Sequence, residues 1–438
     1  MSFSVKSVRT VDQPISFFMQ QAVENPRLIS LAAGLVDYDS LPAHEVEEAV
    51  RQVLGDPRSA QVALQYGTTQ GLSALRQVLL ERTAALDRVT PAAMSLTPDD
   101  CLITTGSQQL LYLVSEALLD PGDLVITAAP SYFVYQGTLQ SMGVRTLSVP
   151  QDADGMQTDA LADLLAYVQR RGELPRLKLV YVVDYFDNPT GSTLSLPRRA
   201  HLLELVERYS RDHRLVLVED AAYRELRYDG DDLPSIKSLD TRNAYVVLAM
   251  TFSKACAPGL KTGYAFVPRD LREPLLRLKG NHDFGSNNFT QHVVHRLVKS
   301  GAYDRHVAVL REVYRRKRDA LCNALEQALE PGWRVRWARP AGGLYVWLRL
   351  PEWVETGPGS PLARAAWDEG VLYVPGQFCY LPEESKTVPR HEIRLSFGVG
   401  TPADLREGVM RLARACKKVL GAAAQDGCPT PLASLTRP

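Results

Sequence analysis

The sequence predicts an α/β fold: a large domain with a mainly parallel central sheet covered by helices, plus a smaller α+β domain. Three observations predict it. From about residue 100, short apolar runs alternate with amphipathic helical stretches. Those runs are continuously apolar rather than alternating in polarity, which marks strands covered on both faces. Beyond about Asn288 the rhythm changes to long helical segments followed by paired strands.

The elements follow in order. Residues 1–29 read as an arm and a short helix, and HEVEEAVRQVL (His44 to Leu54) has helical spacing. ALQYGTTQG is a loop that leads into another helix. CLITT, LVITAAP, VRTLSVP, LKLVYVV, LVLVED, VVLAMTF and TGYAFVP read as strands with helices between most of them. A long helical region covers Thr290 to Leu329, and WRVRWARPAGGLYVWLRLP is a strand pair broken at Gly342-Gly343. VLYVPG and HEIRLSFG are strands, and ADLREGVMRLARACKKVL is a helix. The last stretch, GAAAQDGCPTPLASLTRP, has little apolar content and is expected to be a mobile tail. The expected division is 1–60 for the arm and part of the small domain, 61–300 for the large domain, 301–420 for the rest of the small domain and 421–438 for the tail.

Composition narrows the function. The 438 residues carry 50 basic and 50 acidic side chains, so balanced charge argues against nucleic acid as a partner. No apolar run is long enough to span a bilayer, and the N-terminal MSFSVKSVRTVDQP lacks the apolar core of a signal peptide. Six scattered cysteines without a CxxC pair suit a reducing cytoplasm. His292 and His295 have no nearby Cys or acid to complete a metal set, so no metal is expected.

The polar residues carry the functional signal. Ser107, Tyr132, Asn188, Asp220 and Lys254 each fall at or just past the carboxyl end of an apolar run. Ligands of open parallel sheets bind at that edge. Lys254 interrupts a segment that otherwise reads as buried; a lysine there is used by something, or it runs its stem along the surface to reach water. Thr251, Ser253 and Lys261 place two hydroxyls and a second cation near it, a set able to hold a phosphate beside a nucleophilic amine. Ser107 and Gln108 open a helix, where free N–H groups favour an anion; Ser107 as a plain cap is the alternative. Strand alternation sends Glu219 to the face opposite Asp220, leaving Asp220 as the acid expected deep in the pocket. It needs a cation or several donors, unless it forms a structural ion pair with an arginine. Asn188 stands before Pro189 and could shape a turn. Arg394 alternates with apolar residues, so it either captures a carboxylate or is a solvated edge residue. Tyr66, beside Gly67, reads alone as a core aromatic.

Taken together, GSQQ, PSY, NPTG, DAAY, TFSK followed by APGLKTGY, and the late RLSF resemble the fold-type I, class I/II aminotransferases, over roughly residues 28–420. The nearest branch handles 2-aminoadipate, kynurenine and aromatic amino acids. The resemblance implies pyridoxal 5′-phosphate as cofactor, with Lys254 as the lysine that binds it covalently and then moves a proton. It implies Asp220 at the pyridine nitrogen, Asn188 and Tyr223 at the ring's phenolic oxygen, and Tyr132 stacked on the ring. Ser107, Gln108, Thr251, Ser253 and Lys261 would surround the phosphate, and Arg394 would bind the substrate carboxylate. Tyr66 would reach the phosphate of a neighbouring subunit, which implies a homodimer with shared sites. Gly34 would lie in the segment that closes over substrate. The implied reaction passes an amino group from an L-amino acid to a 2-oxo acid, with 2-oxoglutarate the expected acceptor.

Several positions depart from the pattern. Lys261 stands where the family has arginine and loses the planar fork. Asp187 precedes NPTG where glutamine is common, Thr251 replaces serine, and LVDYDSLP replaces a proline-rich segment. Asp37 or Asp39 near the pocket mouth would favour a basic substrate side chain. The same cofactor could serve a lyase, a decarboxylase or a cyclising enzyme, since the bond set perpendicular to the ring decides which breaks. A regulator built on this fold would need an added DNA-binding domain and basic stripes.

Overall fold

The computed structural model describes residues 3–425, apart from 26, 382 and 384–386. Its strands are β1 (Ile29–Ser30), β2 (Cys101–Thr104), β3 (Leu124–Ala129), β4 (Arg145–Asp152), β5 (Gly155–Met156), β6 (Leu177–Val183) and β7 (Val216–Asp220). They continue as β8 (Val246–Thr251), β9 (Gly263–Phe266), β10 (Arg336–Trp337), β11 (Tyr345–Arg349), β12 (Val371–Leu372), β13 (Val374–Pro375) and β14 (Glu392–Ser396).

Eight strands form the main sheet in the order β2-β9-β8-β7-β6-β3-β4-β5. The pairs β3–β4, β3–β6, β6–β7 and β7–β8 are parallel, while β9 runs against both neighbours and β5 against β4. The continuous apolar runs explain the central position of β7 and β8: every residue of both is buried. Each fully buried Val or Leu there contributes roughly 1.5–3 kcal/mol of transfer free energy. The parallel register carries the carboxyl ends of these strands to one edge. Asp220 ends β7, and the turn after β8 holds Lys254.

A second, antiparallel sheet has the order β10-β11-β14-β13. Its register sets Tyr345 opposite Ser396 and Trp347 opposite Arg394. The two-residue parallel pair β1–β12 ties residues 29–30 to this region, and the Ser396 N–H donates to Leu31 O at 2.7 Å. The Leu31–Gly34 segment is thereby held beside the second sheet, and its Gly34 carbonyl accepts from the Lys254 amine in the turn after β8.

The long helical region is two helices, Asn288–Lys299 and Ala302–Ala328, divided at Gly301, whose φ of 70° is left-handed. Helical periodicity alone does not register such a break. The last helix, Pro402–Gln425, runs five residues into the expected tail; residues 426–438 lie outside the described residues.

Candidate active site

Asp220 anchors the site. It is 4% exposed. Tyr181 OH donates to Oδ2 at 2.9 Å, and the Ala222 N–H donates to Oδ1 at 3.2 Å. No cation pairs with it among the described residues. Glu219 turns the other way, as strand alternation requires, and accepts the Ile236 and Lys237 N–H groups at 2.8 Å each. Burial pushes Asp220 from 3.8 up to about 6, against the opposing pull of Tyr181 and the Ala222 N–H.

The sign of that shift gives a stability prediction. A carboxyl raised in the folded state stabilises fully below its unfolded value near 3.8, and that contribution is lost as pH rises through about 6. Its size is on the order of 2–3 kcal/mol. The cofactor-free protein should therefore lose stability between about pH 4 and 6, and Asp220→Asn should remove part of that slope. Thermal melts across this window check it; parallel curves for the two proteins would refute it. Asp187 titrates in the same window, because burial also pushes it up to about 6. Asp220 is thus not the only acid in the pocket, contrary to expectation. Asp187 accepts from Thr190 Oγ1 at 2.7 Å and Gln151 Nε2 at 3.1 Å, so it shapes the Asn188–Gly191 loop.

From that loop a polar chain crosses the site. Arg394 is 1% exposed, not a solvated edge residue. Its Nη1 donates to Asn188 Oδ1 at 2.8 Å and its Nη2 to Ala32 O at 2.8 Å. Asn188 Nδ2 in turn faces Tyr223 OH at 3.5 Å. The guanidinium lies 4.3 Å from the Tyr345 ring centroid and 5.2 Å from that of Phe133. Its Nε is buried with no hydrogen-bond partner. That leaves one guanidinium N–H able to take a further acceptor.

Lys254 is half-buried, and its Nζ donates to Gly34 O at 2.7 Å. A Cβ on Gly34 would come within 2.9 Å of Tyr345 OH, so a side chain there would have to displace the Tyr345 hydroxyl. Thr251 and Ser253 face each other, Oγ to Oγ at 2.9 Å. Ser107 is the first residue of the helix Ser107–Leu118, whose cap is Gly106 and not Ser107. A Cβ on Gly263 would lie 2.8 Å from the Ser107 nitrogen, so β9 presses directly on this helix start. Gln108 donates to Thr138 Oγ1 at 3.2 Å, and its Oε1 is buried without a partner. Tyr132 caps the helix Phe133–Met142, with its phenol pushed up first by burial and then by the nearby Asp220 carboxylate.

The remaining expected residues are exposed or paired elsewhere. Lys261 is exposed in the turn two residues before β9. Tyr66 is 82% exposed, and its ring meets that of Phe284 edge to face at 5.7 Å, so it is not a core residue. Asp37 is buried against Lys317 and Ser40. Its charge is consumed inside the fold, which removes it as a selector of basic side chains. Sequence reasoning missed Tyr181 and Tyr345. Tyr181 had a signal: a hydroxyl inside the run LKLVYVV must find a partner when buried.

These residues fit pyridoxal phosphate. A buried carboxylate without a cation suits a protonated ring nitrogen. Asn188 and Tyr223 offer donors beside it, and a helix start with two nearby hydroxyls suits a phosphate.

Comparison with known proteins agrees. A family model described as "Aminotransferase class I and II" matches residues 26–412. Aromatic-amino-acid aminotransferase 1 of Thermococcus litoralis is 33% identical over 90% of this chain and 89% of its own. The 2-aminoadipate transaminase of Thermus thermophilus is 35% identical over 91% of this chain and 92% of its own. The kynurenine aminotransferase of Pyrococcus horikoshii, solved in complex with PMP, superposes with a TM-score of 0.86 at 32% identity, covering 95% of this chain and 97% of its own.

Proposed function

This chain belongs to the class I and II aminotransferases, pyridoxal-phosphate enzymes of fold type I, and from that premise we propose that it passes the amino group of an L-amino acid to 2-oxoglutarate in a ping-pong cycle. The relatives are named for aromatic amino acids, 2-aminoadipate and kynurenine. A large side chain is accordingly the donor class proposed here. The observation that carries the reading is the buried, cation-free carboxylate of Asp220 at the same sheet edge as Lys254.

When bound, the cofactor supplies an electron sink for charge that develops at the substrate α-carbon. The protein does the rest. Asp220 would hold a proton on the ring nitrogen by its negative charge. Tyr223 and Asn188 would donate to the ring's phenolic oxygen, and Tyr132 would supply an aromatic face to the ring. The Ser107 helix start, Gln108, Thr251 and Ser253 would hold the phosphate, with Lys261 adding a positive charge from the surface. Arg394 takes the α-carboxylate, its unpaired Nε adding a donor. The Lys254 amine leaves Gly34 O and takes the proton from the α-carbon, then returns it on the acceptor side. Gly34 and its segment exclude water above the lysine.

The body within residues 61–300 would hold the cofactor; 1–60 and 301–420 would carry Gly34 and Arg394 over it. A cytoplasmic setting and a homodimer belong to the same proposal. Among the described residues no helix is long and apolar enough to cross a membrane. Tyr66, Phe284, Val62 and Leu64 are exposed apolar side chains close together in sequence or space, which suits a second copy taking Tyr66 into its site. Sedimentation at the 48.6 kDa of a single chain would exclude the shared site.

A screen of amino acids against the aldehyde form of the holoenzyme tests the function. Aromatic amino acids and 2-aminoadipate should convert it to the amine form with release of the matching 2-oxo acid. Carbon dioxide or ammonia released instead, with the aldehyde form retained, would refute transamination.

A further inference from the structure

Tyr345, which the sequence pattern does not single out, meets Arg394, Tyr223 and the Gly34 segment at once. It is 1% exposed on β11. Its ring covers the Arg394 guanidinium at 4.3 Å and meets the Tyr223 ring edge to face at 5.8 Å. Its hydroxyl lies 3.2 Å from Tyr223 OH. The hydroxyl also stands where a side chain at Gly34 would be.

The hydrogens in this cluster can be assigned. Asn188 Oδ1 is taken by Arg394 Nη1, so the Asn188 NH₂ group is turned toward Tyr223 and can only donate to it. Tyr223 OH has one hydrogen and two acceptor positions. If Tyr345 also donates, both positions are filled and the Tyr223 hydrogen must point into the pocket. If Tyr345 accepts, that hydrogen is turned away from the pocket. Among the described residues, Tyr223 OH is the one hydrogen-bond partner of the Tyr345 hydroxyl. An anionic oxygen in the pocket therefore draws the Tyr223 hydrogen, and the Tyr345 hydrogen follows it onto Tyr223. Burial, and next the Tyr345 hydroxyl, hold Tyr223 well above the usual phenol range, so Tyr223 stays protonated and able to donate.

We propose that Tyr345 is a positioning residue with two separable parts: its hydroxyl aims the Tyr223 hydrogen at the ring oxygen, and its ring holds Arg394 flat for the substrate carboxylate. The inference rests on the reading of Tyr223 as the donor to that oxygen. A donated hydrogen bond strengthens the next one in a chain by about 10–30%. Losing it makes Tyr223 a weaker donor and favours the proton-bearing form of the bound chromophore.

The test is a pH titration of the absorbance of the resting holoenzyme, with steady-state kinetics, for Tyr345→Phe, Tyr345→Leu, Tyr223→Phe and Tyr223→Phe/Tyr345→Phe. Tyr345→Phe should move the spectral midpoint up by a few tenths of a pH unit. It should lower kcat a few-fold and leave KM for the amino donor within about twofold, because the ring remains. Tyr345→Leu should also raise that KM about tenfold, through loss of the cation–π contact with Arg394. In the Tyr223→Phe background, Tyr345→Phe should move nothing further. An unmoved midpoint in Tyr345→Phe, with a moved one in Tyr223→Phe, overturns this inference alone. An unmoved midpoint in both overturns the role given to Tyr223, and this inference with it.

Discussion

Lys254→Ala is expected to reduce transamination at least about ten-thousand-fold, the combined loss of a positioned general base and of a nucleophile. The fold should survive. Lys254 is half-buried in the turn after β8, and among the described residues its amine bonds to Gly34 O alone. Alanine leaves that carbonyl to water or to the cofactor. The variant should still bind pyridoxal phosphate, since Asp220, the Ser107 helix start and the hydroxyls of Thr251 and Ser253 are untouched. Added small primary amines should restore part of the proton transfer, because they can enter the space the side chain vacates. Single-turnover measurement of amine-form production, with and without such an amine, checks both statements. Turnover near the wild-type rate would mean that another group moves the proton.

The second large effect is expected at Asp220. Asp220→Ala should lower kcat by about two to three orders of magnitude, the range for removing one preorganised electrostatic partner, while cofactor affinity falls much less. The inequality follows from the geometry. The contacts proposed for the phosphate and the ring oxygen come from other elements and should persist, whereas the buried negative charge proposed for the ring nitrogen is lost. Alanine also strands the Tyr181 hydroxyl, which now donates to Oδ2 at 2.9 Å; an unpaired buried hydroxyl costs about 1–3 kcal/mol. Asp220→Asn separates the two effects, since it removes the charge and keeps an acceptor for the Tyr181 hydroxyl while only the Ala222 N–H loses its partner. Both variants should be slow, and the alanine variant should melt lower than the asparagine one. Near-normal turnover in Asp220→Asn would take the charge out of the mechanism.

Much of this arrangement was legible from chain pattern because a parallel sheet converts sequence position into place. Asp220, Asn188 and Lys254 each follow an apolar run, and parallel register puts the ends of those runs on one edge. Alternation separated Asp220 from Glu219 for the same reason. What escaped the pattern depends on contacts between distant segments. Asp37 reads as a free acid in LVDYDSLP, but Lys317, far along the chain, pairs with it. Tyr345 reads as one apolar member of a strand pair; its role appears only when β11 is set beside β14 and the Leu31–Gly34 segment. Among the described residues the Tyr66 ring packs on Phe284 and is otherwise open to solvent, and nothing local separates that from a buried aromatic. The break at Gly301 is a backbone feature that side-chain periodicity does not record.

Reduction of the purified holoenzyme with borohydride, followed by peptide mapping, tests the core of the mechanism most directly. A phosphopyridoxyl group should be found on the peptide containing Lys254, and the Lys254→Ala protein should carry none. Label on a different lysine, or none on wild-type protein saturated with cofactor, would contradict it.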